Sequence, residues 1–385
     1  MTVKTTLKTG FRAGLLVAAL GAGAAQADTV TVGMITTLSG GGAGLGVDVR
    51  DGFALALQRA GDHSIRLVVE DDAQRPELAV QIADRMVQAE RADILTGIIW
   101  SNLAMAVVPS VTAQDIFYIS PNAGPSPLAG ANCHPNYFNA AWQNDTLHEA
   151  AGQTANELGY TNTFIMAPNY PAGTDALNGF KRYYQGTLAG ELFTQVGQTD
   201  YAAEIAQIRA SGADSVFIFL PGGMGISFMR QYEQSGVDLP IVSAGFSFDQ
   251  DVLPAMGSAA LGVINTGQWS PDLDNEANAA FVAAFQEAYG RLPSIYASQG
   301  YDTANLILSA VASADVSDRD AFREALRAAD FASVRGAFSF ASNHHPVHSI
   351  YVREVVEVDG VLTNRIIGQA FDETYRDIHG MDCPM

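Results

Sequence analysis

The stretch Ile94 to Gly124, ILTGIIWSNLAMAVVPSVTAQDIFYISPNAG, leaves few folds open. Its two apolar runs, Ile94 to Ile99 and Ile116 to Ser120, are long enough for buried strands and too short for helices. Between them Leu103 to Gln114 is the length of one crossover helix, so the stretch reads as a parallel strand-helix-strand unit. Each strand runs out into small polar residues, Ser101-Asn102 after the first and Ser120-Pro121-Asn122-Ala123-Gly124 after the second. Open parallel sheets hold their ligands at such strand ends. Ser101 or Asn102 can also cap the following helix, which would turn backbone N–H groups toward the same place and favour a carboxylate. Capping alone is the commoner use of Ser and Asn at such a junction.

The same plan recurs along the chain. Val30 to Ile35 reads as a strand that ends in the glycine-rich run Leu38 to Gly46, followed by a helix pattern with Phe53, Ala54 and Leu57 on one face. That run has neither the glycine offsets of a dinucleotide fingerprint nor a closing Gly-Lys-Ser/Thr, so its glycines are expected to let backbone pass close to a ligand or to another part of the protein. Ile65 to Glu70 is the next strand, and Pro76 opens the next helix. After a turn-rich connection, strands are expected at Phe164 to Ala167, Thr194 to Val196, Val216 to Leu220, Ile241 to Ser243 and Val263 to Asn265, alternating with helices as a second parallel sheet. Helices carrying Phe281 and Phe285, then Ala304 to Val311, then Phe322 to Ala329 follow, and Ile350 to Val358 with Thr363 to Gly368 form a hairpin around Asp359-Gly360. At 385 residues and 48% hydrophobic composition the chain suffices for two packed lobes.

Residues 1–27 carry Lys4, Lys8 and Arg12, an apolar run from Ala13 to Ala25, and Ala25-Gln26-Ala27 before Asp28, the pattern of a cleaved secretory signal. The whole chain has a formal charge of −20, and the expected signal holds only basic charges, so the remainder is more acidic still. Such a surface repels nucleic acid and anionic membrane. A soluble, periplasmic protein is expected. In an oxidising compartment its only cysteines, Cys133 and Cys383, are most simply a disulfide tying the C-terminal tail to a loop, with two free thiols as the alternative.

The chain resembles a periplasmic solute-binding protein of the branched-chain amino acid type, the receptor component of an ABC importer. The likeness runs from Val30 to about Gly368 and rests on Val32-Gly33 with Leu38-Ser39-Gly40 and Gly46, on Val69-Glu70-Asp71-Asp72, on Gly97 with Ser101, on Ile119-Ser120-Pro121, on Tyr170 with Gly173, and on Tyr301-Asp302. It implies an α/β fold of two doubly wound parallel-sheet lobes joined by three hinge crossings. Lobe 1 would be 28–142 plus 269–340, and lobe 2 143–268 plus 341–385. A small-molecule ligand, a membrane permease as partner, a monomeric state and no cofactor are implied with it.

In relatives that bind leucine-like ligands, the positions matching Leu45, Ser101, Ala123 and Gly124 meet the amino acid from the first lobe. From the second come a tyrosine and an acidic residue that holds the ammonium; here the matching positions are Ala172 and Phe246. A phenylalanine cannot offset a buried ammonium. The tryptophans Trp100, Trp142 and Trp269, with Tyr170 and Phe246, instead suit an aromatic ring, leaving Ser101, Asn102 and the Ala123-Gly124 backbone to hold its carboxylate, with Asn122 at the same tip a further expected ligand contact. Ser120 to Ser126, Trp142 to Asp145 and Ala167 to Tyr170 also resemble the branch of the family that takes up aromatic acids. An amino acid or amide remains the alternative if Asp249, Asp72 or Glu70 reaches the cleft. A ligand-presenting sensor component or an exported hydrolase are the other classes. The last is disfavoured, since no Gly-x-Ser-x-Gly elbow occurs and Pro346 breaks the only histidine cluster, His344-His345-Pro346-Val347-His348, into a loop. Neither a catalytic nor a metal residue is expected.

Overall fold

A computed structural model describes residues 1–6, 29–61 and 64–385; most of the expected signal segment therefore lies outside the described residues. The first sheet is built from β1 (Val30–Thr36), β2 (Ile65–Asp71), β3 (Ile94–Thr96), β4 (Phe117–Ser120) and β5 (Tyr137–Asn139) in the order β2-β1-β3-β4-β5. All its pairings are parallel. Around it lie α1 (Ala43–Ala60), α2 (Pro76–Gln88), α3 (Ser101–Thr112) and the short α4 (Ser126–Ala129). β1 and β3 are buried along their whole length, as strands covered by helices on both faces must be.

Two details of the opening unit differ from expectation. β3 stops at Thr96, three residues short, because Gly97 takes φ +105° and a side chain there would lie 2.6 Å from the Ile35 carbonyl oxygen. Trp100, not Ser101 or Asn102, is the N-cap of α3, and it caps without a side-chain hydrogen bond. Ser101 is thus the first residue of the helix, with its backbone N–H among the orphan donors.

From β5 the chain passes through α5 (Thr146–Glu157) into a second sheet, with β6 (Asn162–Pro168), α6 (Pro171–Tyr183), β7 (Thr187–Thr194), α7 (Ala202–Ala210), β8 (Ser215–Ile218), α8 (Gly223–Ser235), β9 (Ile241–Ala244), α9 (Leu253–Met256) and β10 (Ile264–Gly267). It then returns to the first half as α10 (Glu276–Tyr289), α11 (Ile295–Ser313) and α12 (Arg319–Ala328). α11 lies directly on α1. A methyl group on Gly52 would stand 2.0 Å from the Ala297 carbonyl oxygen, and one on Gly300 2.1 Å from that of Val49. Finally β11 (Ser339–Phe340) pairs with β12 (Pro346–Val347), and β13 (Ile350–Val358) with β14 (Val361–Phe371) completes the second sheet in the order β14-β13-β10-β9-β8-β6-β7.

Five strands of that sheet run parallel, and the hairpin extends it antiparallel beside β10. Asp359 and Gly360 both have positive φ, as a two-residue turn of the favoured hand requires. The strand expected at Thr194 to Val196 is instead β7, which ends at Thr194; it is an edge strand with much of its surface exposed and so carries no apolar run. α11 begins nine residues before the expected Ala304, capped by the Ser294 side chain on Ala297 N–H.

The histidine run is a loop plus the short β12. His344 stacks on Phe138 at 4.0 Å and is buried, and Asn139 N–H donates to its carbonyl. Cys133 and Cys383 form a disulfide across 250 positions, which pins the C-terminal tail to the connection before β5. Among the described residues no helix is long and apolar enough to cross a membrane.

Candidate functional site

The downstream ends of the two sheets face one another and enclose a cavity. From the first half come Leu45, Ile99, Trp100, Ser101, Asn122 and Tyr296; from the second come Tyr170, Ala172, Phe219, Pro221 and Phe246, with Trp142 and Asn144 on the passage between them. Six of these side chains are aromatic and, among the described residues, none that lines the cavity is charged. The rings meet across it: Trp100 and Tyr170 at 5.9 Å, Trp142 and Phe246 at 4.2 Å, and Phe246 and Tyr296 at 5.5 Å between centroids. With the halves so close, about 20 Å³ remains for the centres of water-sized spheres, room for roughly one water.

Trp100 is held from behind. Trp100 Nε1–H donates to Thr37 Oγ1 at 3.0 Å, and that hydroxyl donates to Asp72 Oδ1 at 2.6 Å. The glycine run accommodates the indole, since a Cβ on Gly42 would fall 2.6 Å from Trp100 Cζ2. It also accommodates the opposite lobe: Gly222, at φ +64°, would bring a Cβ within 2.9 Å of the Gly41 carbonyl oxygen. Burial first, then the nearby Asp175, pushes the Tyr170 phenol up; burial and then Asp251 do the same to Tyr296. Both hydroxyls therefore stay protonated, and neither has a hydrogen-bond partner among the described residues.

Ser101 is oriented by Asn144, whose Nδ2 donates to Ser101 Oγ at 3.0 Å and to Asp175 Oδ2 at 2.9 Å, while its Oδ1 accepts from Gly124 N–H at 3.1 Å. The serine accepts in this network and keeps its own proton free to donate. Ser101 stands at the start of α3, Ala172 at the start of α6, and Pro221 just before Gly222, the N-cap of α8. Three helix N-termini thus converge on the cavity, and each concentrates partial positive charge there. The buried Trp142 Nε1 has no partner among the described residues either.

Of the residues expected at the site, the structure brings Leu45, Trp100, Ser101, Asn122, Trp142, Tyr170 and Phe246 to the cavity wall. It does not bring Asn102, Ala123, Gly124 or Trp269 there. The Ala123 carbonyl accepts from Ser120 Oγ, Tyr137 OH and Asn139 Nδ2, and Gly124 N–H is taken by Asn144, so this backbone is already satisfied. Asn102 follows Ser101 on α3 and is only partly buried, off the cavity wall. Trp269 packs edge-on against Phe281 and donates to Asn278 Oδ1 at 2.6 Å, inside the core.

The carboxylates that could have served an ammonium are engaged elsewhere. Asp249 Oδ1 accepts from Ile295 N–H and Gln250 N–H, Asp72 holds Thr37 and Gln74 N–H, and Glu70 pairs with Arg85. Asn144, Phe219 and Tyr296 were missed by sequence reasoning. Phe219 lay next to a recognised strand tip and Asn144 inside a recognised stretch, whereas Tyr296 carried no local signal.

A model of the periplasmic binding protein family matches residues 29–360. The chain is 28% identical over 381 residues to Leu/Ile/Val-binding protein homolog 6 of Brucella melitensis, an alignment covering 93% of this chain and 96% of that one. Among solved structures, an ABC-transporter solute-binding protein of R. palustris in complex with benzoate is 30% identical, with a TM-score of 0.88 over 93% of this chain and 100% of that chain. A second from R. palustris, in complex with 4-hydroxybenzoate, is 25% identical with a TM-score of 0.83, covering 90% and 98%. A leucine-binding protein of Thermotoga maritima, 19% identical with a TM-score of 0.78 over 88% of this chain and 98% of that chain, shares the fold.

Proposed function

Because this chain belongs to the periplasmic binding protein family, we propose that it is the extracytoplasmic receptor of an ABC importer and captures a small aromatic carboxylate between its lobes. The observation that carries this reading is the cavity wall: six aromatic rings, no charged side chain, and three helix N-termini aimed at one place. A carboxylate is stabilised by the orphan N–H groups at such termini and by the Ser101 hydroxyl. The aromatic faces offer an apolar, offset-stacking slot for its ring. An amino acid would bring an ammonium with no carboxylate among the described residues of the cavity wall to meet it, and leaving a charge unpaired in a closed cleft costs about 3–5 kcal/mol. The benzoate complex of the R. palustris relative supports the same ligand class.

Leu45, Trp100, Ser101, Asn122, Asn144, Trp142, Tyr170, Phe246 and Tyr296 are the contacts we assign. Admission of a ring requires the Trp100–Tyr170 and Trp142–Phe246 pairs to part, which opening of the lobes accomplishes. Ligand that touches both lobes then stabilises the closed form, and it is this population shift that a membrane permease would sense. Export to the periplasm and a monomeric receptor complete the reading. Calorimetry and thermal unfolding with benzoate and with leucine test it. Benzoate should bind near the micromolar range, about 8 kcal/mol, and raise the melting temperature. Leucine should do neither, and a chain that binds leucine while ignoring benzoate would overturn the assignment.

A further inference from the structure

Beside the cavity the lobes meet a second time, through charge. The first half presents Asp48 and Asp51 on α1, and Arg291 with Ser294 on the segment leading into α11. The second presents Asp249 and Asp251 from the loop after β9, and Arg353 from β13. Arg291 pairs with both Asp48 and Asp51, and Arg50 adds a further bond to Asp51. Arg353 pairs with Asp249 at 3.0 Å, with Asp272 as a more distant charge. Asp249 also reaches across to accept Ile295 N–H at the start of α11, at 2.9 Å.

Asp251 is the group left over. Both its carboxylate oxygens are shut away from solvent with no hydrogen-bond partner among the described residues. It lies against the first turn of α1, where a methyl group on Gly44 would come 3.9 Å from its Cβ, and the charges acting on it are those of Asp249 and Asp48. In the open form Asp251, lifted off α1, would be hydrated. Closing therefore strips water from Asp251, gives it no cation, and brings it toward like charge, a combination that strongly disfavours the ionised form.

We propose that closure of the two lobes is proton-linked: Asp251 settles onto α1 as the neutral acid, so the protein closes more readily and holds its ligand more tightly as the solution is acidified. Asp48 moves in the same direction, its carboxyl pushed up to about 6 by burial against the pull of Arg291 and Ser294. The sign follows from linkage. A carboxyl whose affinity for protons is higher closed than open favours closure fully at low pH, and loses that effect as pH rises through the closed-state value. The ligand-binding surface rests on the reading given above, but the linkage does not depend on which ligand is bound.

The test compares the parent with Asp251→Asn and, as a second variant, Asp251→Ser. With benzoate as probe, the parent Kd should fall between pH 8 and pH 5, by up to about tenfold per unit for one proton taken up. Calorimetry in buffers of different ionisation enthalpy should show that uptake. Both variants should bind more tightly than the parent at pH 8, with a flattened pH profile. A parent Kd that does not change with pH, or a slope retained in full by both variants, overturns the proposal. Should benzoate give neither heat nor thermal shift, the functional reading fails on its own. The linkage is then read by small-angle X-ray scattering of the ligand-free proteins: the parent radius of gyration should fall on acidification and the variants should be smaller than the parent at pH 8, and superimposable curves sink it.

Discussion

The cavity and the rim around it use opposite chemistry. The cavity wall is neutral, built of rings, one serine and two asparagines, while the rim carries the ion pairs and the covalent link. On one side of the rim Arg353 holds Asp249 within the second half, Arg291 holds Asp48 and Asp51 within the first, and Asp249 bridges the two by accepting Ile295 N–H at the start of α11; on the other, the disulfide and the cluster of Asp145, Glu149, Arg182 and His379 strap the tail across the first passage between the sheets. The difference teaches where each property resides. On the proposed reading the uncharged slot selects a carboxylate by dipoles and shape, whereas the ion pairs and the crosslink stabilise the elements around it without lining the cavity. Asp251 apart, whose ionisation acts on closure itself, substitutions in the rim should therefore move stability, and substitutions in the cavity should move affinity.

The largest effect should come from Asp249→Ala. Arg353 is fully buried, and although Asn265 Oδ1 and the Trp269 carbonyl also accept from it, Asp249 is its only close anion among the described residues. Its removal leaves a buried guanidinium uncompensated and should lower unfolding stability by about 3–5 kcal/mol. Urea denaturation measures this, and a loss under about 1 kcal/mol would mean that water reaches Arg353 and that the rim is not the dry lock described here. Next comes Cys383→Ser. Opening a link of this span should cost about 2–4 kcal/mol in the same experiment, with benzoate affinity unchanged. Equal losses of stability and affinity would erase the distinction between strap and slot.

Within the cavity, Ser101→Ala removes a hydroxyl that Asn144 holds with its proton free. A hydrogen bond to a charged group is worth about 1.5–3 kcal/mol, so benzoate binding should weaken about tenfold or more while the urea midpoint stays in place. Trp100→Ala should act in the same sense through its ring. Unchanged calorimetric affinity in both variants would take this strand tip out of the ligand site and leave the neutral wall without a purpose.

How much of this was legible beforehand follows from where each residue stands. Buried parallel strands are short apolar runs, so β1, β3, β4, β8 and β9 could be found from composition alone, and so could the residues at their downstream ends. β7 escaped because half of an edge strand faces solvent. Trp100, Ser101, Tyr170 and Phe246 were legible because a βα unit fixes the residue at its tip. Tyr296 was not, because it enters from α11, which the packing of Gly52 on Ala297 and of Gly300 on Val49 brings beside α1. Trp269 misled for the converse reason: it follows β10, yet Asn278 and Phe281 draw its indole into the core. Asp249 was weighed as a ligand contact and is instead spent on a helix N-terminus and an arginine, a use that no local pattern distinguishes from binding.

The smallest effect concerns the strap. His379 Nε2 and Asp145 Oδ2 are 3.0 Å apart, and the hydrogen bond to Asp145 holds the imidazole above its ordinary value against the pull of burial. Burial alone would raise Asp145, but its hydrogen bonds with His379, Gln143 and Arg182 outweigh that and hold it down. A histidine whose proton affinity is raised by folding contributes its full stability below the unfolded value, about 6.5, and loses it as pH rises through the higher folded value. The parent should therefore lose up to about 1 kcal/mol relative to His379→Asn between pH 6 and pH 8. Glu149 titrates in the same window, its carboxyl pushed up to about 7 by burial despite Arg182, so the informative quantity is the difference between parent and variant at each pH. A difference that stays constant across the window would show that His379 packs against Asp145 without carrying charge, leaving the strap to the disulfide and to the hydrogen bonds of Asn343 with Asp377.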